Sequence, residues 1–378
     1  MVFTRRDFGK IALAGLPATA IMNTPWFGAL AAQARPNSNF NGVQIGVITY
    51  SYRSMPDQSA QATLKYVLDS GINAIELMDG PVENFFGRPV AAARGGGPGG
   101  GGGRGGRAGG EAPAGPTPYE ILMSGTMPQC APNQGRAGGG GGRGGRGQAT
   151  PEQIAAQQAE ALELRQWRTS VSLDRVRDVR KLFNDAGVTI YAYKPDGIQK
   201  NMETTDAEFD YIFAIAAGLG ASHLTMELPG GETAAPLMKR LVGFAEKHKV
   251  AVAYHTHAQG SMTAFDEAMA LSKWNMINVD LGHYVAAGNV GGSPIQFLER
   301  HHARISSFHL KDRTLPEHCS LTVPFGRGDG TIREILLAMR RNKWTFPATI
   351  ELEYPVPASS DAVQEVKSGV EFVRAALA

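Results

Sequence analysis

Seven times between Lys65 and Tyr354 the sequence repeats one unit: a helix with an apolar stripe, a small-residue or Gly turn, and a short β-rich run ending in charged or imidazole side chains. The runs are INAIELM with Glu76, VTIYAYK with Lys194, SHLTMEL with Glu227, VAVAYHTH with His255 and His257, MINVDLGH with Asp280, ISSFHLKD with His309 and Lys311, and ATIELEY with Glu351. With the earlier apolar run VQIGVITY the number of strands reaches eight. Strands alternating with helices at this spacing predict an α/β fold, a (β/α)8 barrel.

Such a barrel points the C-terminal ends of all its strands at one face, so residues distant in sequence converge there. Acidic and imidazole groups meeting at that face would form a metal site, and the chain reads as a metal-dependent barrel enzyme. Within a strand, positions two apart share a face. His255 with His257, His309 with Lys311, and Glu351 with Glu353 therefore point the same way in pairs. Burying so many ionisable groups around one mouth costs several kcal/mol unless they are paired or metal-bound.

The 378 residues divide into a leader (1–34), a catalytic barrel (43–378) and a low-complexity insert within it (94–150). The leader carries Thr4-Arg5-Arg6-Asp7-Phe8-Gly9-Lys10 before an apolar stretch from Ile11 to Met22, with small-residue sites at Ala29-Leu30-Ala31 and Ala32-Gln33-Ala34. It resembles a twin-arginine export signal, which is an address read by a receptor. That resemblance implies the twin-arginine export machinery as a partner, a periplasmic or otherwise exported location, and metal loading before export. The apolar stretch, broken by Pro17, is too short to span a membrane, which takes about 20 residues.

Glycine and arginine dominate between Arg94 and Gly147, with an island reading PTPYEILMSGTMPQC, and such a composition is expected to be disordered in the connection after the second strand. The 37 Lys and Arg barely outnumber the 35 Asp and Glu, which leaves the folded body no field to steer nucleic acid. Cys130 and Cys319 are too few for a disulfide framework and leave the redox compartment unspecified. A homo-oligomer is compatible with the sequence. Expected strands cover 43–50, 73–78, 189–193, 223–228, 250–257, 277–281, 305–310 and 348–352, with a long helix at 151–169 following the insert.

Four local patterns carry a family likeness: Asp280-Leu281-Gly282-His283, Phe308-His309-Leu310-Lys311-Asp312, the Gly326-Arg327-Gly328-Asp329-Gly330 loop, and Ile350-Glu351-Leu352-Glu353. On these the chain resembles the sugar phosphate isomerase/epimerase group with a xylose isomerase-like TIM barrel, from Val43 to the C-terminus apart from the insert. The resemblance implies a divalent ion, Mn2+ first with Mg2+, Co2+ or Zn2+ as alternatives, held by Asp280, His309 and Glu351. Relatives read Glu-Asn-His where this chain has His255-Thr256-His257, so an imidazole replaces one of two proton-shuttling carboxylates. Glu227, one strand earlier, is the expected substitute ligand, with His255 ligating or touching substrate.

The chemistry implied is chelation of adjacent hydroxyl and carbonyl oxygens, removal of an α-proton and formation of an enediolate. Glu351, Glu227 and His255 are the candidate bases, and Lys311 would face the developing oxyanion. Glu76, Lys194, His257, His283 and Arg327 are candidate contacts to a small carbohydrate substrate. Isomerisation or epimerisation of a sugar or keto-sugar is the leading expectation. A lyase acting on a 3-keto-glycoside and a non-catalytic carbohydrate-binding barrel are the alternatives. The barrel also resembles that of endonuclease IV, but the basic rim and additional metal ligands of such enzymes are not evident.

Overall fold

The computed structural model describes residues 35–89, 116–131 and 150–378. The leader and the Gly/Arg runs lie outside the described residues. Eight parallel strands, β1 (Val43–Ile48), β2 (Ala74–Met78), β3 (Thr189–Lys194), β4 (His223–Glu227), β5 (Ala251–His255), β6 (Asn275–Asp280), β7 (Ile305–Leu310) and β8 (Ala348–Ile350), close into a barrel as β8 pairs with β1 and β1 with β2. Around them run α1 (Ala60–Asp69), α2 (Asp79–Phe86), α3 (Pro118–Met123), α4 (Pro151–Ser170), α5 (Val176–Asp185), α6 (Asp206–Leu219), α7 (Ala234–His248), α8 (Asp266–Leu271), α9 (Leu281–Ala286), α10 (Pro294–His301), α11 (Ile332–Asn342) and α12 (Ala362–Leu377). The expected (β/α)8 barrel is the observed fold.

The helices start where side chains can satisfy free backbone N–H groups. The Thr205 hydroxyl accepts the Glu208 N–H while the Glu208 carboxylate accepts the Thr205 N–H, and Ser293 pairs with Gln296 in the same way. Their apolar stripes, such as Val179 and Phe183 on α5, Ile212 and Ile215 on α6, and Val366, Val370 and Val373 on α12, bury against the outer face of the sheet.

The barrel interior is more polar. Tyr191 lies over Gly46, where an added Cβ would fall 2.4 Å from its hydroxyl, and that hydroxyl bonds Thr349 Oγ1 at 2.7 Å. Gly46→Val is expected to displace Tyr191 and cost about 1–3 kcal/mol of overpacking, read by urea unfolding.

Several strands are shorter than expected because the chain turns early to build the mouth. β5 stops at His255 and leaves Thr256 and His257 in the loop, while β6 stops at Asp280, which caps α9. Within the insert, residues 116–131 are described and include a short helix. Thr117 and Glu120 form a capping box for α3, Leu122 is buried, and Cys130 is joined to Cys319 by a disulfide. The two cysteines set aside in the sequence are thus a single cross-link spanning 189 positions, a pairing no local pattern reveals. Cys130 N–H also donates to the Glu317 carbonyl at 2.9 Å. Among the described residues no helix is long and apolar enough to cross a membrane.

Candidate metal centre

Asp280, His309 and Glu351 end β6 and β7 and follow β8, and their side chains converge. Asp280 Oδ1 accepts the His283 N–H at 2.7 Å as the cap of α9. Its other oxygen, Oδ2, is left for the cluster, 3.9 Å from His309 Nδ1. Glu351 Oε2 is 2.9 Å from the same nitrogen. Both carboxylates therefore fall within the separation of about 6 Å that joint ligation of one ion allows. Gly282 makes room for this approach, because a Cβ there would meet the Lys311 carbonyl oxygen at 2.8 Å.

His309 is wholly buried between carboxylates, with Nε2 3.1 Å from Glu76 Oε2. Burial opposes its charge, but the Glu351 and Glu76 carboxylates prevail and raise it to about 10. Glu76, expected as a substrate contact, instead sits beneath the His309 ring and is fully buried. The pairing of β2 with β3 shifts register between Ile75 and Glu76, the kind of irregularity that re-aims a side chain. A carboxylate holding the far nitrogen of an imidazole is the usual support of a metal-binding histidine.

Lys311 Nζ lies 2.8 Å from Asp280 Oδ2, 2.8 Å from Glu351 Oε2 and 2.6 Å from Glu353 Oε2. Burial works against its charge, yet Asp280 and Glu351 raise it above the ordinary lysine value. The same ammonium, against the opposing pull of burial, holds Asp280 and Glu351 below the usual carboxylate range. The cluster is thus assembled around positive charge, supplied here by Lys311 and the His309 proton.

His255 completes the arrangement. Its ring centre is 4.6 Å from that of His309, and donor atoms of His255, Asp280 and His309 all lie within 4.8 Å of one another. Burial, followed by the Lys194 charge, lowers His255 to about 4, so the ring is neutral near pH 7. Asp280 Oδ2 is buried, and the Lys311 ammonium at 2.8 Å is the positive charge it meets. Two carboxylates, a braced imidazole and a neutral imidazole make a mixed N/O donor set suited to a divalent ion such as Zn2+, Co2+ or Mn2+. The residues present fit the implied metal.

A second grouping, His255, His257 and His283, is as compact. It suits an ion poorly, because His283 Nδ1 faces Arg313 Nη1 at 2.5 Å and His283 Nε2 faces Lys311 Nζ at 3.3 Å. Burial and these cations push His283 well below its ordinary value, so it stays neutral beside the cluster.

Neither grouping contains Glu351 or Glu227, but Glu351 lies against His309 and Lys311 whereas Glu227 is turned to other partners. Its Oε1 is 3.0 Å from Lys194 Nζ, its Oε2 is 3.5 Å from His257 Nε2, and its side chain is 43% exposed. Burial would raise this carboxyl, but Lys194 and the nearby rings bring it down to about 2. His255, which β4–β5 pairing sets directly beside Glu227, is the residue of this pair that lies in the compact grouping with Asp280 and His309. Arg327 is exposed rather than in the cluster. The loop around it wraps Asp312, whose carboxylate accepts the N–H groups of Gly326, Gly328 and Gly330 at 2.7, 3.1 and 3.1 Å.

A family description, the xylose isomerase-like TIM barrel, matches residues 152–376, more than half of the chain. The chain belongs to that family. No curated protein sequence matches it. Among solved structures, a sugar phosphate isomerase/epimerase from Parabacteroides distasonis ATCC 8503 aligns with TM-score 0.51 at 14% identity, over 91% of this chain and 97% of the other. The IOLI protein with a bound zinc atom aligns with TM-score 0.52 at 11% identity over 89% and 98%. D-Psicose 3-epimerase with D-tagatose from Clostridium cellulolyticum H10 aligns with TM-score 0.51 at 8% identity over 89% and 99%. At these identities the likeness is one of fold.

Sequence reasoning passed over several residues of this xylose isomerase-like barrel. Asn278, Ser307 and Thr349 each lie two positions before Asp280, His309 or Glu351, so strand alternation alone puts them on the same inner face. Arg313, which donates to His283 Nδ1 and to the Ser320 carbonyl, carries no sequence signal.

The raised His309 value has a pH consequence for the metal-free protein. A group whose pKa rises on folding stabilises fully below its unfolded value and loses that contribution as pH climbs through the folded value. Unfolding free energy is therefore expected to fall by several kcal/mol between about pH 6.5, the unfolded value, and about pH 10, while Zn2+ affinity rises as the competing proton is released. Urea titrations with chelator at both ends of this window check the first expectation. Stability unchanged across it would contradict the assignment.

Proposed function

We propose that the protein is a divalent-metal-dependent isomerase or epimerase of a sugar or keto-sugar, working through an enediolate. The observation that carries this reading is the convergence of Asp280, His309, Glu351 and His255 on one buried point, where two carboxylates are gathered about positive charge. In this reading those four residues hold the ion, His309 through Nδ1 with Glu76 bracing Nε2. The ion, when bound, would polarise a substrate carbonyl and stabilise negative charge on its oxygen.

The chain's own residues supply the rest. Glu351, kept ionised by Lys311 and His309, is positioned to accept a proton from the carbon beside the carbonyl. Lys311, the one fully buried ammonium of the cluster, faces the oxygen that becomes anionic. His257, its side chain 44% exposed beside the cluster, offers a hydrogen bond to a hydroxyl group, while His283 is held by Arg313 and Lys311. Glu227 and Lys194 hold each other and bind substrate rather than shuttle protons. Export through the twin-arginine route is part of this proposal, supported by the leader sequence and by a disulfide, which persists best in an oxidising compartment.

One observation favours a second reading. Glu227 lies outside the cluster with its side chain 43% exposed and held by Lys194, which leaves Glu351 as the carboxylate placed to act as base, whereas inversion at one carbon calls for a base on each face. A single base suits proton return to the neighbouring carbon, or loss of a β-leaving group from a 3-keto-glycoside. The test is NMR of metal-loaded protein in D2O with free ketoses and a 3-keto-glucoside. Deuterium beside the carbonyl supports the proposal, with rearranged sugar indicating an isomerase and free aglycone a lyase. Sugar binding with no deuterium entering any substrate would make the barrel a carbohydrate-binding module and end the enzymatic reading.

A further inference from the structure

A hydrogen-bonded chain runs from the cluster down through the barrel interior. His255 Nδ1 meets Asn278 Oδ1 at 2.9 Å, Asn278 Nδ2 meets Ser307 Oγ at 2.7 Å, Ser307 Oγ meets His223 Nε2 at 2.9 Å, and His223 Nδ1 meets Ser222 Oγ at 2.9 Å. His255, Asn278, Ser307 and His223 are all buried. Taken alone, the chain has two self-consistent senses, because an amide, a hydroxyl and a neutral imidazole can each reverse donor and acceptor. Its last member breaks the tie.

Ser222, exposed at the far end, donates its one hydroxyl proton to the Tyr191 carbonyl at 3.0 Å, and the Asn278 amide shows the same sense by setting Nδ2 on Ser307. Ser222 Oγ must then accept from His223, so His223 carries its proton on Nδ1 and presents a lone pair at Nε2. Ser307 donates to that lone pair and is left to accept from Asn278 Nδ2. The Asn278 carbonyl oxygen in turn accepts from His255 Nδ1–H. Every donor points away from the cluster, an alignment in which each bond strengthens the next.

We propose that Asn278 is a positioning residue that locks His255 in the Nδ1–H tautomer, so that the Nε2 lone pair is the one offered to Asp280, His309 and an incoming ion. β6 is shaped for this, since its register against β7 shifts between Ile277 and Asn278. The chain thus gives an imidazole standing where relatives carry a carboxylate the one feature it needs to replace it, an electron pair of fixed direction. The consequence for ion binding rests on the metal site proposed above; the tautomer does not.

The experiment uses the full chain labelled with 15N-histidine, metal-free near neutral pH, read by long-range 1H–15N correlation. His255 is expected to show an unprotonated Nε2 and a protonated Nδ1, and Zn2+ is expected to perturb Nε2. Asn278→Leu is expected to mix the two tautomers and to weaken Zn2+ binding by about 10–100-fold against a chromophoric chelator. Ser307→Ala, a milder change that removes the acceptor of the Asn278 amide, is expected to mix them as well and covers a failure of the first variant to fold. A proton on His255 Nε2 in the wild-type protein would overturn the inference, as would a wild-type pattern with unchanged Zn2+ affinity in the folded variants. Loss of all deuterium exchange with this pattern intact would sink the proposed function and leave the positioning role standing.

Discussion

Lys311→Met is expected to destabilise the metal-free protein by about 3–5 kcal/mol, with saturating Zn2+ restoring most of the loss. Lys311 is buried against Asp280, Glu351 and Glu353 at 2.6–2.8 Å, and removing its ammonium leaves these carboxylates facing one another with only the His309 proton between two of them. Methionine fills much the same volume, so the effect is electrostatic rather than steric. An ion at Asp280 and Glu351 would neutralise the same oxygens and supply the missing charge. Urea unfolding with chelator and with Zn2+ separates the cases. A variant as stable as wild type under chelator would mean that the carboxylates are not organised around cationic charge. A loss that Zn2+ fails to restore would mean that the ion does not bind there.

Glu351→Gln is expected to lower deuterium exchange into substrate by about 10²–10⁴-fold, the usual range for removing a positioned base. The amide keeps the side-chain shape and can still contact His309 and Lys311, but it cannot take a proton. Glu353→Gln is the matched control: its carboxylate reaches the same ammonium at 2.6 Å but is 28% exposed, and it faces His283 rather than His309. That substitution is expected to change exchange by less than about tenfold. Both rates come from NMR of the Zn2+-loaded variants. A Glu351→Gln protein exchanging within about tenfold of wild type would remove Glu351 as the base.

How far the sequence leads depends on what each residue obeys. The ends of β6, β7 and β8 follow from periodicity alone, because a barrel aims the C-terminal ends of its strands at one face whatever the loops do. The convergence of Asp280, His309 and Glu351 was therefore legible. Glu227 satisfies the same rule and still turns away, since Lys194 at the end of β3 captures its carboxylate. A competition between two partners across neighbouring strands leaves no trace in spacing. Glu76 went astray for a different reason: the irregular register after Ile75 brings it beneath His309. The Asn278, Ser307 and His223 chain lies inside runs that look apolar, and its polar members stand out only when the inner face is read as a continuous surface. The Cys130–Cys319 bridge joins a segment between Gly/Arg runs to the loop after β7, a contact set by tertiary structure alone. The Gly326–Gly330 loop was legible as a motif, but not the use of its glycines, which bring backbone N–H groups onto Asp312.

The central claim is that Asp280, His309, Glu351 and His255 together hold one divalent ion. Titration of metal-stripped protein with Zn2+, followed by X-ray absorption at the zinc edge, addresses it directly. The account predicts one tightly bound equivalent whose spectrum carries the outer-shell scattering of two imidazoles, falling to one in His255→Ala. No stoichiometric binding, or a bound ion showing no imidazole scattering, would contradict it.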